Sequence, residues 1–248
     1  MNKLPQITLA FWIIKILATT LGESGGDLLA HEDGLNLGYA VSSTIVCGVL
    51  GVLLFCQLRA KSYIPFLYWG VILATSTGGT NMADFMSRSL HLGYAQASTV
   101  LIVLLCITLG VWWMLEKSLS VVDIRTVRAE VLYWVAILFS NTLGTALGDY
   151  LADDSGLGFL GSSLVIGGAI LLTALLYRFT KIPRVLLFWL AFVLTRPFGA
   201  TFGDLLTKEH EEGGLEFGTA GTSAVLLALL IVAIVIHIKK LKRASVPA

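Results

Sequence analysis

The sequence predicts an all-α membrane protein of eight transmembrane helices, built as four helical-hairpin repeats that share one orientation. Three observations carry this. Hydrophobic residues make up 56% of the 248 and charged residues only 13%, whereas a soluble domain is nearer a quarter charged. Apolar stretches lie at roughly 7–28, 38–57, 64–84, 92–115, 131–150, 156–177, 185–205 and 216–238, and a span needs about 20 such residues. One pattern, Gly-x-x-x-Gly/Ala-Asp with a Trp ten residues before its first Gly, closes every odd-numbered stretch. A single transmembrane domain over 1–248 follows, with repeats at about 7–60, 64–116, 129–178 and 184–239.

The first stretch follows Lys3, as a signal peptide would. It lacks a small-residue cleavage site and carries Gly22-Glu23-Ser24-Gly25-Gly26-Asp27 behind Trp12, so it reads as a span. The second opens on Leu37-Gly38-Tyr39 and holds Cys47 and Cys56. The third runs from Trp69 to Gly79-Thr80-Asn81-Met82-Ala83-Asp84. The fourth opens on Leu92-Gly93-Tyr94 and holds Cys106. Cysteines inside spans read as small buried hydrophobes, not as a disulfide framework or thiolate ligands. The fifth runs from Trp134 to Gly144-Thr145-Ala146-Leu147-Gly148-Asp149, and the sixth opens on Leu157-Gly158-Phe159. The seventh runs from Trp189 to Gly199-Ala200-Thr201-Phe202-Gly203-Asp204, and the eighth opens on Phe217-Gly218-Thr219. A Ser lies five residues after the opening Gly of each even stretch: Ser43, Ser98, Ser163 and Ser223.

The connections divide by charge. Lys3, then Arg59 and Lys61, then Lys117, Arg125 and Arg128, then Arg178, Lys181 and Arg184, and the closing Lys239, Lys240, Lys242 and Arg243 make 13 of the 17 basic residues. The alternate connections hold Glu32, Asp33, Asp153, Asp154, Glu209, Glu211, Glu212 and Glu216, with Arg88 and Lys208. The positive-inside rule puts the first class in the cytoplasm. Both termini are then cytoplasmic, and the four Asp residues end near the outer face. His31, His91 and His210 lie in or beside the acidic connections, and none has ligand-like spacing to another His or Cys.

Gly22 and Gly26 lie one helical turn apart, as do Gly79 and Ala83, Gly144 and Gly148, and Gly199 and Gly203. Small-xxx-small faces let helix backbones approach closely in lipid. The simplest arrangement places the odd helices centrally and the even ones outside. A stripe at seven, four and zero residues before each Asp is polar in three repeats: Thr20, Glu23 and Asp27; Thr77, Thr80 and Asp84; Thr142, Thr145 and Asp149. The fourth copy has Pro197, Ala200 and Asp204, and the proline predicts a kink.

An Asp at a span end has two uses: it caps the next segment among the headgroups, or it faces a cavity and binds a cation. Deeper charges bear on the choice. On a straight helix Glu23 lies about 6 Å below Asp27, Arg196 about 12 Å below Asp204, and Lys15 about 18 Å below Asp27. Arg196 takes the repeat position of Thr19, Ser76 and Asn141, so that layer is polar throughout. Ionisable groups at such depth are costly and generally face an interior with a partner. A Glu23–Arg196 pair is expected. Lys15 either joins this network or snorkels to the inner interface.

The fourfold hairpin, with Thr19-Thr20-Leu21-Gly22-Glu23 and Gly26-Asp27 in its first copy, resembles a family of bacterial membrane proteins described only as uncharacterised membrane-anchored proteins. The resemblance implies a polytopic protein of the bacterial inner membrane and no assigned activity. A weaker likeness is to cation/proton exchangers, whose repeats carry a Glu-x-Gly-Asp core. Here Glu23-Ser24-Gly25-Gly26-Asp27 has one residue more, and only the first repeat keeps a Glu.

No nucleophile elbow, zinc-protease motif or phosphate loop occurs, so no enzymatic activity and no cofactor are expected. The expected function is secondary transport of a cation. A divalent metal such as manganese comes first, because oxygen ligands suit hard cations. Asp27, Asp84, Asp149, Asp204 and Glu23 would be the ligands. Arg196, Lys15, Thr20, Thr77, Thr80, Asn81, Asn141 and Thr142 would form the coupling network. The expected partners are the bilayer and a small cation or proton, not nucleic acid, and the oligomeric state is left open. The alternatives are an assembly or structural factor, an organic-solute transporter and an intramembrane lipid enzyme.

Overall fold

The computed structural model describes residues 3–121, 124 and 126–244; Arg125, counted above with the inner basic residues, lies outside them. The described residues are helical throughout, in eight long helices. These are α1 (Leu9–Ala30), α2 (Gly38–Arg59), α3 (Pro65–Asp84), α4 (Gly93–Glu116), α5 (Val127–Asp149), α6 (Gly158–Phe179), α7 (Arg184–Thr207) and α8 (Thr219–Ala244). Short π-helical turns, Phe85–Ser89 and Tyr150–Asp154, extend α3 and α5. Six helices, α2 and α4 to α8, are long and apolar enough to cross a membrane. The other two, α1 and α3, are long enough but carry a row of buried polar side chains, among them Lys15, Glu23 and Asp27 on α1 and Ser76, Thr80 and Asp84 on α3.

The repeated opening glycines have a local cause. Gly38, Gly93, Gly158 and Gly218 all have φ between 67° and 75°, a left-handed backbone that glycine adopts without a Cβ penalty. Each sits where the chain reverses into an even helix. Thr8 and Thr126 cap α1 and α5 through their side chains, and Pro65 opens the first turn of α3.

Helix packing is cyclic. α1 packs on α3 and α7, and α5 packs on the same two, which closes a central ring of odd helices. Each even helix packs mainly on the first helix of the following repeat: α2 on α3, α4 on α5, α6 on α7, and α8 back on α1. The small-residue faces make the ring tight. Gly22 lies against Ser76, Gly79 against Asn141 and Thr142, Gly144 against Arg196 and Pro197, and Gly199 against Thr19. The second glycines repeat the cycle. A Cβ on Gly26 would sit 2.8 Å from that of Thr80, and one on Gly203 2.9 Å from that of Glu23.

The tryptophans close one end. Each follows an aromatic residue, giving Phe11-Trp12, Tyr68-Trp69, Tyr133-Trp134 and Phe188-Trp189. The first ring of each pair reaches the tryptophan of the next repeat, at 5.5 Å for Phe11–Trp69 and Tyr68–Trp134, 6.5 Å for Tyr133–Trp189 and 5.8 Å for Phe188–Trp12. The hydroxyls of Tyr68 and Tyr133 bond at 2.6 Å. This girdle fills the ring at its tryptophan end.

The cysteines correct an expectation. Cys47, Cys56 and Cys106 are exposed and unpaired. They lie on α2 and α4, which touch the ring along one side only. The remaining perimeter of these outer helices is apolar, with Val41, Ile45, Val49 and Val52 exposed on α2. Such a surface suits lipid contact.

Candidate functional site

A single stripe on each odd helix faces the ring axis. It runs Trp+3, +7, +11, +15 and so follows a row of four-residue steps. Such a row is inclined to its own helix axis, so helices leaning across the bundle present it continuously. From the tryptophan end the layers are Lys15, Ile72, Ile137 and Phe192; Thr19, Ser76, Asn141 and Arg196; Glu23, Thr80, Thr145 and Ala200; and Asp27, Asp84, Asp149 and Asp204. Every one of these side chains is buried.

Arg196 and Glu23 meet at 2.8 Å from Nη1 to Oε2. Nη2 of Arg196 donates to Thr80 Oγ1 and Thr145 Oγ1, each at 2.6 Å, and to the Ser76 carbonyl at 3.2 Å, while Nε has no partner. One buried cation thereby ties all four ring helices together. Lys15 does not snorkel: it is fully buried. Its Nζ lies 4.1 Å from the centre of the Phe192 ring and 3.4 Å from Asn141 Oδ1. Asn141 in turn donates to Thr75 and Ser76.

The neighbouring stripe stays out of this network. Thr142 Oγ1 bonds its own helix at the Leu138 carbonyl, and Thr20 Oγ1 has no partner. Thr77 is only half-buried and faces Gly25. The reason is the inclined row: eight residues before the Asp stays on the axis, whereas seven before falls on the seam between helices. There the backbones of Thr77 and Thr142 meet Gly22 and Gly79. Asn81 also points away from the axis, and both its amide atoms lack partners. Its repeat equivalents Ser24 and Thr201 bond Ser223 and Ser163 at 2.9 Å. Two of the four recurrent serines of the even helices, Ser163 and Ser223, thus bond ring helices, whereas the Ser43 and Ser98 hydroxyls have no partner.

The four Asp residues converge on a cavity of about 30 Å³, room for a water or a single ion. Its lining holds six carboxylates, the four Asp with Glu23 and Asp153, against Arg88, Lys208 and His31. It opens into a vestibule of about 920 Å³. Asp27 is held by Lys208 at 2.8 Å and faces His31 at 3.6 Å. Asp84 is held by Arg88 at 3.2 Å, and Asp204 lies 3.8 Å from Lys208. Burial alone would lower the pKa of the Lys208 ammonium; the carboxylates of Asp27 and Asp204 outweigh it and hold it above the ordinary lysine value. Asp149 has no hydrogen bond or ion pair among the described residues.

Two ligand sets are close enough to hold a metal ion. Oxygens of Glu23, Asp27 and Asp204 lie within 4.8 Å of one another, as do ligand atoms of Asp27, His31 and Asp84. Oxygen-rich sets of this kind suit hard divalent cations.

A family model described as a repeat of unknown function (DUF347) matches residues 10–63, 67–118, 132–182 and 187–242. The chain belongs to this DUF347 repeat family. No curated protein and no solved structure matches it. Each matched DUF347 repeat contains one complete axial stripe, from its Trp to its Asp.

Sequence reasoning missed a further layer. Four residues after each Asp stand His31, Arg88, Asp153 and Lys208, and all four line the cavity mouth. The repeat offset was a usable signal. It is hidden because the four residue types differ and lie in connections that read as solvated loops.

Proposed function

We propose that the protein is a secondary transporter that moves a cation, a divalent metal first, across a bacterial inner membrane. The observation that carries this reading is the convergence of four equivalent Asp residues and Glu23 on one small, net-acidic cavity at the foot of an open vestibule. In this reading all eight helices span the bilayer. α1 and α3 are included because their polar residues face the ring and not lipid. Both termini are cytoplasmic, so the carboxylates face outward and the aromatic girdle closes the cytoplasmic end. Glu23 exchanges a proton for the metal as its surroundings change, and export is the favoured direction.

The test is flux. Purified protein in liposomes should move Mn²⁺ or another ion of the set Mg, Ca, Co, Ni and Zn, and Asp27→Asn and Glu23→Gln should not. A deletion strain should change its tolerance to the same ion. Absence of any such change, on deletion or overexpression, rejects the metal reading.

One observation favours a second cargo. Tyr39, Tyr94 and Phe159 line the vestibule, and aromatic faces attract organic cations. Flux of a quaternary ammonium compound, uninhibited by metals, would select that alternative.

A further inference from the structure

The layer above the four Asp residues is asymmetric. Three repeats place a nitrogen base there: His31, Arg88 and Lys208, each within 4.0 Å of the Asp of its own repeat, four residues before it. The third repeat places Asp153 there instead. The third repeat therefore offers two carboxylates and no cation of its own. Asp149 itself is 7% exposed, lines the cavity, and makes no hydrogen bond or ion pair among the described residues. An unpaired carboxylate at such burial is costly. Its three counterparts are matched by the protein's own cations.

We infer that Asp149 and Asp153 form the seat where the cargo first binds, and that one divalent cation takes the place filled by His31, Arg88 and Lys208 in the other quadrants. Two carboxylates are neutralised by one doubly charged ion. Two residues four apart near a helix end lie side by side. Asp153 stands exposed at the vestibule and Asp149 is buried below it, so together they form a path inward. Asp153 sits in the π-helical turn Tyr150–Asp154, a local irregularity that recurs at functional sites. Waters of the vestibule complete the coordination shell, as hard divalent cations generally require when protein ligands are few. The ligand sets around Asp27 are reached afterwards, since Lys208 and Arg196 already neutralise them.

This inference rests on the cation reading above, and the test separates the two. Mn²⁺ binding to the purified full chain is measured by titration for the wild type, Asp153→Asn, Asp153→Lys and the control Asp154→Asn. The wild type should bind about one ion per chain at this seat. Asp153→Asn should weaken it by about tenfold or more, and Asp154→Asn should not. Asp153→Lys supplies the missing counter-ion, so it should abolish binding while unfolding at or above the wild-type temperature. If the wild type binds Mn²⁺ and Asp153→Asn binds it equally, the seat is wrong and the cation reading stands. If the wild type binds none of Mn²⁺, Mg²⁺, Ca²⁺, Co²⁺, Ni²⁺ and Zn²⁺, both fall. Should Asp153→Lys fail to fold, Asp153→Asn alone decides.

Discussion

Removing one member of the Arg196–Glu23 pair should destabilise the protein more than removing both. Arg196 is fully buried and donates to Glu23, Thr80, Thr145 and the Ser76 carbonyl. In Glu23→Gln the guanidinium keeps only neutral partners, and breaking a buried pair in this way costs about 3–5 kcal/mol. In Arg196→Gln the carboxylate is left with the Thr80 and Thr145 hydroxyls, at 3.3 and 3.4 Å, and the cost is of the same order. The double variant removes both charges of the pair together. Two amides among threonine hydroxyls can re-form hydrogen bonds, so its loss should fall to about 1–3 kcal/mol. The double-mutant cycle should therefore return a coupling of about 3 kcal/mol or more, roughly 150-fold in the unfolding equilibrium. Equilibrium unfolding in mixed micelles, or thermal unfolding read alongside expression, measures it. Additive losses would refute the pairing and with it the placement of Arg196 on the ring axis.

Three further outcomes are expected. Reporter fusions at residue 120 and at the C-terminus should both report the cytoplasm, as the 13-of-17 basic bias requires; an outside signal at either rejects the orientation. Gly79→Ala and Gly26→Ala should each cost about 1–3 kcal/mol by overpacking, because the new Cβ meets Asn141 at 3.0 Å and Thr80 at 2.8 Å. Gly168→Ala, which meets nothing within 4 Å, should be neutral, and equal losses at all three would deny the ring its close contacts. Lys208→Gln should lose stability by a constant amount between pH 7 and 9. The Lys208 pKa is raised on folding, so its contribution is complete below the unfolded value of about 10.4 and is lost only as pH rises beyond it. A difference that shrinks between pH 7 and 9 would contradict this.

The ring was legible because its causes repeat. The glycine pairs announce close helix contacts, and the even helices follow as the outer layer. The Arg196–Glu23 contact was legible by elimination, as the only deep opposite charges. The face of the stripe was not. Thr20 and Thr19 are adjacent in sequence, and only the lean of the helices selects Thr19 for the axis. That lean comes from three-dimensional packing, which a straight-helix projection leaves out. The role of Lys208 was illegible for a different reason. Its neighbours Glu209, His210, Glu211 and Glu212 mark it as loop, yet the end of α7 turns it back over Asp27.

The charges that a single repeat places deep on the axis, Lys15 and Glu23 on α1 and Arg196 on α7, flank one seam. Three contacts of the ring, α1 with α3, α3 with α5 and α5 with α7, join helices that an even helix connects in sequence. The fourth, α7 with α1, joins the last repeat to the first with no such connection. Among the described residues, the ion pairs that join α7 or its end to α1, Arg196–Glu23 and Lys208–Asp27, cross this seam, while Lys3–Glu130 ties the segment before α1 to α5. Gly199 on Thr19 and Gly203 on Glu23 bring the two backbones close there, and α8 returns to α1 through the Ser223–Ser24 bond. The seam the chain leaves open is held by charge. Hydrophobic burial gives no driving force between helices in lipid, so directional ionic contacts add to close small-residue packing in closing a ring whose ends are not linked. An ionic seam is also the contact a cation and a proton can compete for. The interaction that completes the fold and the one proposed to carry transport therefore share Glu23 and Asp27.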